Sequence, residues 1–330
     1  MVGSVLLATG LGPVSVPVGE TGRIVSHHLI PGLVSAPADS IQDQIVWQFR
    51  LPRALLGAVI GAGLGLVGCA LQASVRNPLA EPYLLGISSG ASLGAVLVLV
   101  LGSAAVGELS LSGAAFVGAL GAMGVVYVLA QRGGRVTPFR LVLAGVALAY
   151  LFQALYGVLL LKANPYDVQG ILFWLFGSLG GARWPQLGLP AAAVVLGCAY
   201  LLTQARPLNS LLAGEETAVS LGLNVARFRV QMLVVTSLLI GVMVAVSGAI
   251  AFVGLIIPHL CRLVVGSDHR RLLPVAALTG AAFLVLVDFA ARIVLQPTEL
   301  PLSIVTAIFG VPFFIWLLRR RDRGREAMFG

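Results

Sequence analysis

Long apolar runs alternate along this chain with short segments that hold nearly all of its polar and charged residues. The runs predict helices over 1–12, 54–75, 84–102, 112–131, 140–161, 187–205, 228–250, 252–265, 272–295 and 302–318. At 1.5 Å of rise per residue, about 20 residues cross a hydrocarbon layer of ~30 Å. Most of the runs approach that length, so the pattern predicts an all-α, polytopic membrane helix bundle forming one domain over 1–330. The run at 1–12 is too short to cross. A misassigned start, a re-entrant stretch, or a cleaved signal peptide lacking its basic n-region are the readings open there.

Composition agrees: 58% of the 330 residues are hydrophobic and 10% are charged. Charge placement then sets orientation. Threading the runs alternately puts 15 of the 21 basic residues on one side, at Arg76 and in 131–140, 206–229, 261–271 and the tail 319–326. That side carries +9 and the other −1, which sum to the overall +8. The positive-inside bias makes the +9 side cytoplasmic, with both termini there. The three cysteines lack paired spacing, and no Cys/His cluster has metal-site spacing, so no metal site is expected. The single lysine, Lys162, cannot complete a phosphate-binding GxxxxGK[ST] loop, so any ATP is hydrolysed by another chain. Gly57, Gly61 and Gly65 recur every four residues, which predicts a close helix-packing face.

Three segments break the apolar pattern. In RNPLAEPYLLGISSGAS (76–92), Asn77-Pro78 and Glu81-Pro82 interrupt the helix, and Gly86, Ser88, Ser89 and Gly90 restart it. Irregular backbone at membrane depth survives only when buried in protein or lining a water-filled cavity. These residues are therefore candidates for a pathway wall, with a tight turn as the alternative. In GAIAFVGLIIPHLCRLVVGSDHRRLLP (248–274), Pro258 sits inside an apolar run. His259 is expected to bond the carbonyls that Pro258 frees, or to serve as a proton relay or metal ligand. In LNSLLAGEETAVSLGLNVARFR (208–229), Ala213-Gly214 separates two short helices and Gly222 caps the second. Its apolar side, with Leu221, and its acids, Glu215 and Glu216, suggest a docking surface for a cytoplasmic partner.

These three segments, together with WQFRLPR (47–53), FWLFGSLGGARW (173–184) and ELPLSIVTAIFGVPFFIWLLRR (299–320), resemble the signature motifs of FecCD-type permeases. Those are the membrane subunits of ABC importers for iron-siderophores, haem and cobalamin. The resemblance runs from about residue 47 to the C-terminal end. It implies ten spans per subunit and a homodimer around a central translocation pathway in the bacterial inner membrane. Two copies of a cytoplasmic ATPase would bind ATP and magnesium, and a periplasmic binding protein would dock opposite. This chain would bind no cofactor and would not be an enzyme. Ala213, Gly214, Glu215, Glu216, Leu221 and Gly222 match the family's ATPase-coupling helices. Thr137, Pro138 and Phe139 match its cytoplasmic gate, here with Pro-Phe instead of small hydroxyl residues. Arg50, Arg53 and Arg292 match arginines that meet acidic residues of the binding protein.

Overall likeness favours haem as cargo, with a siderophore or cobalamin as alternatives; Arg183 would face the propionates of haem. An ion-coupled secondary transporter would need intramembrane carboxylates. Asp288 is the main candidate, and Arg292, four residues on, would neutralise it.

Overall fold

Each apolar run folds as helix, and local sequence signals set the ends. The computed structural model describes residues 1–10, 12, 16–30, 32, 39–107, 110–132 and 135–329. The side chains of Arg132, Arg135 and the basic tail from residue 317 lie outside the described residues. Three short helices come first: α1 (Val2–Gly10), α2 (Val18–Leu29) and α3 (Ser40–Gln44). A π-helical turn, Ile45–Arg50, leads into α4 (Leu51–Val75). Then follow α5 (Ile87–Leu101), α6 (Leu111–Ala130), α7 (Pro138–Leu160), α8 (Pro165–Leu175) and α9 (Gly188–Thr203). The polar insert forms α10 (Ala205–Ala213) and α11 (Glu215–Ser220). The remainder is α12 (Val225–Ser247), α13 (Val253–Val265), α14 (His269–Ile293) and α15 (Leu302–Phe329). A two-residue antiparallel ribbon, β1 (Gln131–Arg132) with β2 (Arg135–Val136), joins α6 to α7.

Side-chain caps start the helices where the sequence offers them. Ser110, Asn164, Asn224 and Asp268 accept from the first-turn amides of α6, α8, α12 and α14. Six helical stretches are long and apolar enough to cross a membrane: Ser40–Val75, Leu111–Ala130, Pro138–Leu160, Trp184–Thr203, Val225–Ser247 and His269–Ile293. Ile87–Leu101, Val253–Val265 and Leu302–Trp316 are shorter apolar helices. These nine, with α1, stand at the ten runs that the hydropathy pattern predicts. α1 is the shortest of them and rises only ~14 Å over its nine residues. The hydropathy pattern also missed α2 and α8, which are too short or too polar to register as runs.

α4 forms the axis of the bundle and is buried along nearly its whole length. Its glycines let backbone meet backbone. A methyl at Gly61 would lie 2.1 Å from the carbonyl oxygen of Gly280, and one at Gly65 would lie 2.6 Å from that of Ala276. These contacts seat α4 against α14. Gly57, third in the predicted stripe, meets the side chains of Leu179 and Val285 instead. At Gly68 a methyl would lie 2.0 Å from the oxygen of Gly254, which seats α13 on the same helix. In lipid, where apolar burial does not drive helix association, such close approach supplies the packing attraction.

Pro258 lacks an N–H, so the carbonyl of Gly254 four residues earlier has no helical partner. Gln72 Nε2 donates to it at 3.1 Å, and Gln72 Oε1 accepts from Arg262 at 2.5 Å. His259 was expected in that role; its Nε2 lies 3.0 Å from the oxygen of Pro78 instead. Gln72→Leu should therefore cost about 1–3 kcal/mol by stranding a buried carbonyl. Thermal unfolding in detergent checks this, and an unmoved transition would show that the carbonyl is satisfied otherwise.

Candidate functional site

Three chain breaks meet at the centre of the bundle and satisfy one another's backbone. Ser178 N–H donates to the oxygen of Ser247 (2.8 Å), Leu302 N–H to that of Gly177 (2.9 Å) and Ser303 N–H to that of Phe176 (2.9 Å). Ser303 Oγ donates to the oxygen of Ala249 at 2.8 Å and accepts from Ala251 N–H at 3.1 Å. Gly177 and Gly248 take positive φ, and a methyl at Gly248 would lie 2.0 Å from the oxygen of Trp174. Phe252 also has φ of +68°, unusual for a residue with a side chain. The buried Glu81 carboxylate accepts from its amide and pins it. Non-helical backbone at membrane depth requires this kind of internal satisfaction. Glu81→Ala should cost about 1–3 kcal/mol for the unpaired amide, and Glu81→Gln, which keeps an acceptor, much less; melting of the two variants side by side checks this.

The knot forms one wall of a cavity of about 930 Å³. Leu79, Glu81 and Tyr83 line it from the break after α4, Ser89 and Ser92 from α5, and Gln153 and Tyr156 from α7. Phe176, Phe252 and the α15 face from Ser303 to Ile315 complete it. Among the described residues no lysine or arginine lines this cavity. Of the six residues expected in the pathway, Ser89 alone does. Asn77 and Pro78 belong to the turn that ends α4, where Asn77 Oδ1 accepts from Leu79 N–H at 2.9 Å. Gly86 turns the chain into α5 at φ +75°, Gly90 touches the backbone of Gly118, and Ser88 is buried. Asn77 and Pro78 thus sit in a turn, and the motif reaches the cavity at Leu79, Glu81 and Tyr83.

The insert is anchored at both ends. Asn209 on α10 donates to Asp268 (2.7 Å) and accepts from His269 N–H (2.9 Å). The Asn209 bond, with the Arg270 N–H, holds the Asp268 carboxyl below the usual carboxylate range. On α11, Glu215 pairs with Arg229 of the same chain, whereas Glu216 points outward. Of the two acids expected to face a partner, Glu215 is thus engaged within the chain while staying partly exposed. Gly214 turns at φ +131°, and Gly222 caps α11 at φ +85° with Leu223 N–H on the oxygen of Ala218 (3.0 Å). Ala213, Leu212, Val219 and Leu221 remain exposed, the last at 71%. Thr137 and Phe139 are also exposed, and Pro138 opens α7 beside the end of α4.

At the opposite end of α4 the arginines are buried. Arg53 clamps Asp288 (2.8 Å) and Glu299 (2.8 Å), and Arg292 lies 3.2 Å from Asp288. Arg292 also donates to the oxygen of Ala8, and Arg50 to those of Thr9 and Gly10. Guanidinium groups therefore satisfy the carbonyl end of α1. Arg50 and Arg292, expected to face a docking protein, are only 6% and 5% exposed here and bond carbonyls of the same chain. Glu299 is the partly exposed member of the cluster. Arg183 lies apart from the cavity, its guanidinium 4.9 Å above the Phe49 ring. Beside it Trp184 Nε1 donates to the oxygen of Trp47 at 2.9 Å. These pairings join residues far apart in sequence, and only the lone acids inside apolar motifs, Glu81 and Asp288, signalled them.

Comparison with known proteins places this architecture. A cobalamin import system permease protein, BtuC, of Halobacterium salinarum is 42% identical over 327 residues, covering 94% of this chain and 87% of the relative. A hemin transport system permease protein, HmuU, of Yersinia pestis is 41% identical over 285 residues, covering 85% of each. A solved structure described as an inward-facing metal-chelate type ABC transporter superposes with a TM-score of 0.82 at 32% identity, covering 97% of this chain and 96% of its own. With the FecCD transport family model matching residues 1–320, the chain belongs to the FecCD transport family.

Proposed function

We propose that this chain is the permease subunit of an ABC importer, working as a symmetric pair whose shared axis runs along the cavity. The cavity carries this reading: broken helices border an open hollow of about 930 Å³ between α7 and α15. Large apolar side chains also stand exposed on those helices, including Tyr150, Leu151, Ile308 and Phe309. A second copy and lipid would cover them. The insert, with exposed Leu221 and Glu216, would dock a separate ATPase, and the +9 charge balance supports a cytoplasmic side for that face. A binding protein would meet the other end, where Glu299 and Arg183 are accessible. The chain itself performs no covalent chemistry. ATP binding and docking would each favour a different state of the pair.

The cargo that fits best is a corrinoid of the cobalamin type. The wall offers hydroxyl and amide groups from Tyr83, Ser89, Ser92, Gln153, Tyr156 and Ser303, together with one carboxylate already bonded to Phe252 N–H. An amide-rimmed chelate can be met by such groups, whereas haem propionates would find no cation there. Haem is the second reading, supported by the Yersinia pestis relative. Purified complex in liposomes should accumulate labelled cyanocobalamin only with ATP and binding protein. Uptake of haemin in preference to cyanocobalamin would reverse the order of the two, and ATP-independent uptake would remove the importer reading.

A further inference from the structure

The insert and the gate turn are separate in sequence, yet one side chain stands between them. Arg229, in the second turn of α12, is 8% exposed. Its Nε donates to the oxygen of Ser74, in the last turn of α4, at 3.1 Å. Its terminal nitrogen pairs with Glu215, the first residue of α11. Val136 and Pro138 of the gate turn share a small apolar gap with Arg229, Ser74 and Val75. Among the described residues, Arg229 alone has side-chain bonds to both the insert and the end of α4. Beyond Ser74 the chain turns through Asn77 and Pro78 to Glu81, which pins Phe252 in the cavity wall.

We propose that Arg229 is the positioning residue through which the insert sets the gate turn and the end of α4. This rests on the importer reading of the insert. A displacement of α11 moves the Glu215 carboxylate, and a charge-assisted bond transmits that displacement because breaking it leaves a buried guanidinium unpaired. The planar fork of arginine holds both acceptors at once. Lysine has the charge but lacks the two-sided reach, so it can keep one bond while releasing the other.

The test uses the complete transporter in liposomes and reads cargo moved per ATP hydrolysed. Glu215→Ala, at a partly exposed position, should leave the complex assembled and hydrolysing ATP while that ratio falls about tenfold, within the usual range of inter-site coupling. Arg229→Lys should fall part-way. Glu215→Gln, whose amide oxygen still accepts from Arg229, should stay near the parent. A second readout follows the gate directly. With Cys69, Cys198 and Cys261 replaced, Thr137→Cys in a transport-competent background should react with a water-soluble maleimide at a rate that ATP changes; Glu215→Ala should abolish that response. An unchanged ratio and an intact ATP response in Glu215→Ala would overturn the proposal while leaving the importer reading in place. If Glu215→Gln is as impaired as Glu215→Ala, the negative charge itself faces a partner, and the internal link is likewise overturned. Parent protein without ATP-driven uptake would remove both.

Discussion

Asp288→Ala should lower stability by about 3–5 kcal/mol, the usual cost of deleting one partner from a buried ion cluster. Asp288 is 1% exposed and sits between Arg53 and Arg292. Without it the two guanidinium groups face each other, with Glu299 the remaining carboxylate, and that acid bonds only Arg53 among the described contacts. α1 should loosen as well, because Arg292 also holds the oxygen of Ala8. Thermal unfolding in detergent, with proteolysis of the amino-terminal helix as a local probe, reads both effects. A variant that melts like the parent would show that the cluster is solvated in the folded protein. The same burial changes what charge reversal at Arg50 and Arg53 should do. The family resemblance implies slower docking of a binding protein; the buried cluster implies that little folded protein would be recovered.

Gly61→Leu should be at least as damaging, at upwards of about 3 kcal/mol, because overpacking is costly even where side chains can yield. Here the obstacle is the backbone oxygen of Gly280, 2.1 Å from where the first carbon would stand. Gly121→Leu on α6 supplies the control, since nothing lies within 4 Å of the corresponding position. Gly61→Leu should express poorly or melt early, and Gly121→Leu should resemble the parent. Equal behaviour of the two would mean that α4 and α14 can part without loss.

The features that the sequence displayed were the local ones. Hydropathy located the crossing helices, the glycine stripe marked the face of α4 that meets α14, and Gly222 announced the end of α11. Pairings over long separations were hidden. Arg53 meets Asp288 and Glu299 across 235 and 246 residues, and no periodicity encodes such distances. Gln72 gave no sign that it would serve the carbonyl freed by Pro258, because a polar residue inside an apolar run reads the same whatever it bonds. Glu215 illustrates a related difficulty. An acid on a basic surface looks like a docking group until Arg229, 14 residues later, is found folded back onto it. The cavity was invisible for the same reason: its lining comes from six stretches of chain, each contributing a few side chains to a shared void.

The contact of bare backbone between α4 and α14 has a consequence for measurement. Two helices touching through carbonyl oxygens cannot slide or roll past each other without collision, so this pair serves as a built-in datum. Spin labels on α4 and α14 should keep one sharp separation through every stage of a transport cycle. Distances taken from α4 to α7 or α15 can then be read as displacement of those outer helices alone.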